Sequence, residues 1–179
     1  MTRRTLTEHE LQRMREVCKD NPRDTLLLTI LCEIGLRRSA LANLRYSMIC
    51  DENGQPRHTC AVPEKMRKVR HFVTSLTLKQ SIQSFCHAFF DTRPDYKDDF
   101  YVFHVKDPRT APAGNTMLTF CKRIAKRAGI TQVAVYPHMF RHTIVGMLME
   151  AGNSIDVVSR YMGHGTSIVT GQHYWVTNI

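Results

Sequence analysis

The sequence is short of acid, with sixteen Asp and Glu against twenty-five Lys and Arg, and it holds a single tryptophan. It also has no apolar run near the ~18 residues that a membrane-crossing helix requires. The opening MTRRTLTEHE follows its arginines with no apolar stretch, so it does not read as a signal peptide. These absences predict a soluble, intracellular protein: cytoplasm or nucleoid in a prokaryotic or viral setting, nucleus in a eukaryotic one. The six cysteines (Cys18, Cys32, Cys50, Cys60, Cys86, Cys121) include no CxxC pair, which favours reduced, buried thiols over a zinc or redox site. Neither an HExxH motif nor a cluster of carboxylates is present to hold catalytic metal ions. At 179 residues the chain suits one domain with a proper core.

The basic excess, +9 at neutral pH, favours a polyanionic partner. Its distribution is more informative than its size. Arg57, Lys65, Arg67, Lys68 and Arg70 crowd one segment, and Lys122, Arg123, Lys126 and Arg127 another, while DTRPDYKDD (91–99) holds much of the acid. Either cluster alone could be an ordinary solvated face. Two together point to nucleic acid, with Arg67, Lys68, Arg70, Lys122, Arg123 and Lys126 as the candidate phosphate contacts.

Local patterns predict a mainly α-helical α+β domain with a small antiparallel sheet. Thr7 and Glu10 form a capping box for a helix through about Lys19. After NPRD, the leucine-rich TLLLTILCEIGL reads as a buried helix ending at Gly35. Ser39 is placed to cap a short helix, SALANLRY. HTCAVP and HFVTSL are β-prone runs around the basic EKMRKVR, which predicts a hairpin with a charged tip; Pro63 suits an edge position. Helices return with TLKQSIQSFCHAFF, NTMLTFCKRIAKRAG, a segment from Pro137 to about 150, and one capped by Ser154 that runs to Met162 before Gly163. Tyr161 is expected to be buried by that last helix.

Residues 138 to 175 gather four of the nine histidines, with Arg141 between two of them, and the tryptophan. In HMFRH, His138 and Arg141 are three apart and share a helical face, with His142 one step round. Arginine offers a permanently charged fork for two phosphate oxygens, and histidine exchanges protons near neutral pH. The pair suits a phosphodiester. A His138–His142 zinc pair is the competing reading, but no third ligand is evident.

HMFRH, with His164 of MGH 23 residues after Arg141 and Tyr174 ten further on, resembles the signature of the tyrosine recombinases, the phage integrase family. GLRRSALANLR (35–45) resembles that family's other box. The resemblance covers nearly the whole chain as a single catalytic domain, and the helical domain and docking tail that flank it in most relatives are not matched. It implies that Arg37 and Arg141 clamp the scissile phosphate and offset the charge of a five-coordinate phosphorus. His138 would assist proton movement at the tyrosine, and His164 would hydrogen-bond the phosphate. Lys65, with Lys68 as the alternative, would protonate the departing 5′ oxygen. Tyr174 would be the nucleophile that forms a 3′-phosphotyrosyl link to DNA.

The same resemblance implies a site-specific recombinase that works on double-stranded DNA with no metal or other cofactor. It implies a homotetramer in the synaptic complex and a monomer or weak oligomer for the isolated domain. Three positions depart from the family: Ala40 stands where Glu or Asp is common, Phe140 replaces a leucine, and the His164 to Tyr174 spacing is one residue longer than usual. Two alternatives therefore stay open, a nicking and resealing activity of the type IB topoisomerase kind, and an inactive DNA-binding module of the same fold.

Overall fold

The computed structural model describes residues 4–64, 68–92 and 99–163. Helix α1 (Glu8–Cys18) begins on the capping box: the Thr7 hydroxyl accepts from the Glu10 amide at 3.2 Å, and the Glu10 carboxylate accepts from the Thr7 amide at 2.9 Å. Helix α2 (Pro22–Glu33) starts earlier than the sequence suggested. Asn21 accepts from the Asp24 amide at 3.0 Å, and Pro22 takes the first helical position, where no amide proton is needed. NPRD is thus the start of the helix that the apolar run continues.

Leu26, Leu27, Leu28, Ile30 and Leu31 of α2 are all buried, covering more than half of the helix circumference, and no residue of the helix is exposed. It is accordingly the central one, packed against α1, α5 (Leu76–Thr92) and α7 (Pro137–Glu150). Gly35 ends α2 with φ 61° and donates its amide to the Ile30 carbonyl at 3.0 Å.

The chain then turns into α3 (Arg38–Ala42), where Arg37 and not Ser39 holds the N-cap position. Burial of Leu36, Ala40 and Leu41 sets that start and leaves Ser39 inside the first turn. A four-residue helix unforeseen in the sequence, α4 (Tyr46–Ile49), follows, its tyrosine stacked on Phe100 with centroids 5.0 Å apart.

Strands β1 (Thr59–Pro63) and β2 (Val69–Val73) pair antiparallel, Cys60 opposite Phe72 and Val62 opposite Arg70. Cys60, Val62 and Arg70 point inward. The sheet has two strands among the described residues, so Pro63 lies on an edge as expected. The α+β class of the sequence reading holds. Helix α6 (Thr116–Arg127) leans on α1, α3 and α7, and α8 (Ile155–Tyr161), capped by Ser154, packs on α7 through Ile144, Val145, Val158 and Met162.

Gly35 is the tightest point of this packing. A Cβ there would stand 3.0 Å from Ile144 Cδ1 and 3.2 Å from Met162 Cε, on a backbone already in the left-handed region. Gly146, in the middle of α7, has nothing within 4 Å of its Cβ position. Gly35→Ala should therefore cost about 1–3 kcal/mol in urea unfolding, and Gly146→Ala should gain up to about 1 kcal/mol. Equal effects of the two substitutions would contradict the packing described.

Candidate active site

Two buried arginines organise the region where the sequence boxes meet. Arg141, on α7, donates from Nη1 to the Gly35 carbonyl at 2.9 Å and from Nη2 to the Met162 carbonyl. Arg70, on β2, donates to the carbonyls of Ile34 at 2.9 Å, Tyr161 at 2.5 Å and Met162. All four acceptors belong to the C-terminal ends of α2 and α8, where unpaired carbonyls carry partial negative charge. That is how two guanidiniums, 5% and 2% exposed, are kept inside the fold with no carboxylate bonded to either among the described residues. Burial lowers the pKa of both, and for both the neighbouring Arg37 adds to the effect.

This placement corrects one expectation. Arg70, read as a DNA-facing cation, is a buried clamp, because the alternation of β2 turns it inward opposite Val62. Arg123 is also engaged differently from a free surface cation. It pairs with the buried carboxylate of Asp24, to which Arg127 also donates at 3.1 Å, so these two tie α6 to α2. Lys68, Lys122 and Lys126 are exposed.

Gly35 and Leu36 lead from the clamped end of α2 to Arg37, whose side chain is 31% exposed and whose Nη1 donates to Glu64, the residue that follows β1. Arg37 lines an open cleft of about 760 Å³ with Arg38 and Ser39 of the α3 start, Leu118 and Lys122 of α6, and Ala134, Tyr136, Pro137 and His138 at the approach to α7. Among the described residues, three cations and an exposed histidine face this cleft, and none of the lining residues is acidic. Such a wall attracts phosphates. The His138 ring meets His142 edge-on at 4.7 Å between centroids, which orients the exposed imidazole from below. Arg141 does not line the cleft but acts electrostatically on the same group, Arg37.

The structure thus brings Arg37 and His138 together on one cleft, with Arg141 behind them. Lys65, Arg67, His164 and Tyr174 lie outside the described residues. Gly163, the neighbour of His164, sits against Arg70, whose Nη1 would be 3.5 Å from a Cβ there.

Tyr161, expected to be buried, is 45% exposed. Its hydroxyl is nevertheless occupied, donating to the Glu33 carbonyl at 2.5 Å, and partial burial raises its pKa, which makes it a poor nucleophile. Sequence reasoning missed Arg38 and Tyr136 as cleft residues, and it missed Glu64. Arg38 could have been inferred from its place beside Arg37. Nothing local marks Glu64, which reaches Arg37 across 27 positions of sequence. Among the described residues no group of three His, Cys, Asp or Glu could hold a metal ion, and no helix is long and apolar enough to cross a membrane.

The fold is thus a mainly helical α+β domain with two arginines clamped at helix ends beside a basic cleft. The phage integrase family profile matches residues 4–178, and the chain belongs to that family. Tyrosine recombinase XerA of Pyrococcus horikoshii is 29% identical over 174 residues, which cover 97% of this chain and 57% of that protein. XerD of Rickettsia prowazekii is 28% identical over 183 residues, covering 94% of this chain and 57% of its own length. The chain therefore spans little more than half of these relatives. A crystal structure of XerA recombinase shares the fold with a TM-score of 0.76 at 22% identity, covering 100% of this chain and 61% of that one. XerH bound to palindromic difH substrate in a post-cleavage complex does so at 0.75 and 18%, covering 99% and 51%.

Because Arg70 satisfies carbonyls of two helix ends, Arg70→Ala should cost about 3 kcal/mol or more. Lys122→Ala, on the exposed cleft wall, should stay within about 0.5 kcal/mol. Chemical denaturation of both variants checks this, and a small loss for Arg70→Ala would contradict its role as a clamp.

Proposed function

We propose that the chain is the catalytic domain of a site-specific DNA recombinase that cuts and rejoins strands through a 3′-phosphotyrosyl intermediate. The observation that supports this reading is the meeting of Arg37 and His138, from two distant stretches of sequence, on one basic cleft, with Arg141 of the same helix as His138 buried beside Arg37. The phosphate of a duplex sits in that cleft, where the Arg37 guanidinium and the field of Arg141 stabilise the charge that builds up on the phosphoryl oxygens. The motif match supplies the remaining roles. The Tyr174 oxygen attacks phosphorus and the bond to the 5′ oxygen breaks. Lys65 delivers the proton that the leaving oxygen needs, and His138 helps remove the one on the tyrosine.

His164 hydrogen-bonds the phosphate. The phosphodiester energy stays in the covalent link, so a 5′ hydroxyl from a second duplex can attack it and reseal the strand without a nucleotide cofactor. Double-stranded DNA is the partner, and four copies assemble on two duplexes for exchange. Lys122 and Lys126 on α6 and Lys68 on the hairpin are the contacts to flanking phosphates.

Incubation of the chain in EDTA with nicked suicide duplexes, beside Tyr174→Phe, tests the mechanism. The expected result is a denaturation-resistant protein–DNA adduct that the Phe variant does not form. Binding with no adduct from the unsubstituted chain would favour the inactive module, for which the longer His164 to Tyr174 spacing speaks. Supercoil relaxation with no strand exchange would favour the topoisomerase reading. Lys122→Ala should weaken binding to many sequences alike and reduce the slope of log affinity against log salt by about 1.

A further inference from the structure

We infer that Glu64 is the positioning residue of the site: its buried carboxylate holds Arg37 so that the guanidinium faces the cleft in the form a phosphate needs. This rests on the strand-transfer reading above. The Glu64 side chain is 3% exposed, its Oε2 accepts from Arg37 Nη1, and its Oε1 has no hydrogen-bond partner among the described residues. A carboxylate so placed is costly to the fold unless its charge serves a neighbour. The neighbour is specific. Of the three arginines that act on one another electrostatically, Arg70 and Arg141 bond through their Nη groups to carbonyls, and among the described residues Arg37 is the one that pairs with a carboxylate.

The geometry gives that pair a task. Arg37 stands at the N-cap of α3, where its backbone is extended and its side chain makes no capping bond. The helix it opens, RSALA, carries no acid of its own, since position 40 is a buried alanine. Without Glu64 the guanidinium is repelled by two buried cations and free to swing through the open cleft. With Glu64 bonded to one edge of its fork, its other N–H groups remain available to a phosphate oxygen. Glu64 touches no substrate in this account and acts through Arg37 alone. Its removal should slow the chemical step without weakening DNA binding, because one negative charge leaves the vicinity of the phosphates.

The test compares the unsubstituted chain with Glu64→Gln and Glu64→Ala in two measurements: affinity for intact duplex, and the rate of adduct formation on suicide duplex at saturating DNA. Gln keeps an oxygen for Arg37 but not the charge. The expected rates fall about tenfold for Gln and about a hundredfold for Ala, with duplex affinity unchanged or tighter and an unaltered melting profile for Gln. Equal rates for the unsubstituted chain and both variants overturn the inference. So do faster rates, which would make Glu64 a brake on Arg37. Parallel loss of affinity, rate and melting temperature would make it a purely structural ion pair and also overturn it. Failure of the unsubstituted chain to form any adduct sinks the strand-transfer reading itself, and this inference with it.

Discussion

The Met162 carbonyl accepts from both Arg70 and Arg141, and the rest of the site depends on that shared acceptor. A buried guanidinium is tolerated only where its charge and its donors are answered. Here the answer is the C-terminal ends of two helices, α2 and α8, which are far apart in the chain and are drawn together by the two side chains. Each clamped end runs directly into a glycine with positive φ, Gly35 and Gly163, and from each glycine into a box expected to carry chemistry. The core thus fixes the chain at Gly35 and Gly163 through buried bonds.

Charge is distributed so that the interior and the cleft serve different ends. Arg70 and Arg141 spend their donors inside, Arg123 and Arg127 spend theirs on Asp24, and Arg37, Arg38 and Lys122 face the opening. The net charge of the chain therefore overstates what a nucleic acid can meet. Helix α6 carries both kinds of cation: Arg123 and Arg127, themselves 42% and 44% exposed, pair with Asp24 of α2, while Lys122 lines the cleft and Lys126 is exposed. This follows from the chemistry of the groups: a guanidinium offers a planar fork that suits fixed partners, and an ammonium on a flexible stem stays readily hydrated.

Much of the fold was legible because its signals are local. The capping box at Thr7, the leucine-rich run of α2, the β-prone runs of the hairpin and the glycine stops at 35 and 163 each work within a few residues. The misjudged points are those where distant packing decides. Leu36 and Leu41 shift the start of α3 away from Ser39, and Asn21 with Pro22 starts α2 ahead of the apolar run that marked it in the sequence. The site divides in the same way. Arg37, His138 and Arg141 could be singled out by motif, but motif could not show that Arg141 bonds Gly35 or that Arg70 is a clamp. Glu64 was invisible, because a lone glutamate ahead of a basic run carries no local sign of the arginine it meets.

A crystal structure of the Tyr174→Phe chain on duplex DNA would test most directly the claim that this arginine assembly is a phosphate site. The account predicts a backbone phosphate in the cleft, with an oxygen within about 3 Å of an Arg37 N–H, the strand continuing past Lys122, and the clamps of Arg70 and Arg141 on the two helix ends intact. A duplex seated on another face, with Arg37 still turned to an empty cleft, would contradict it.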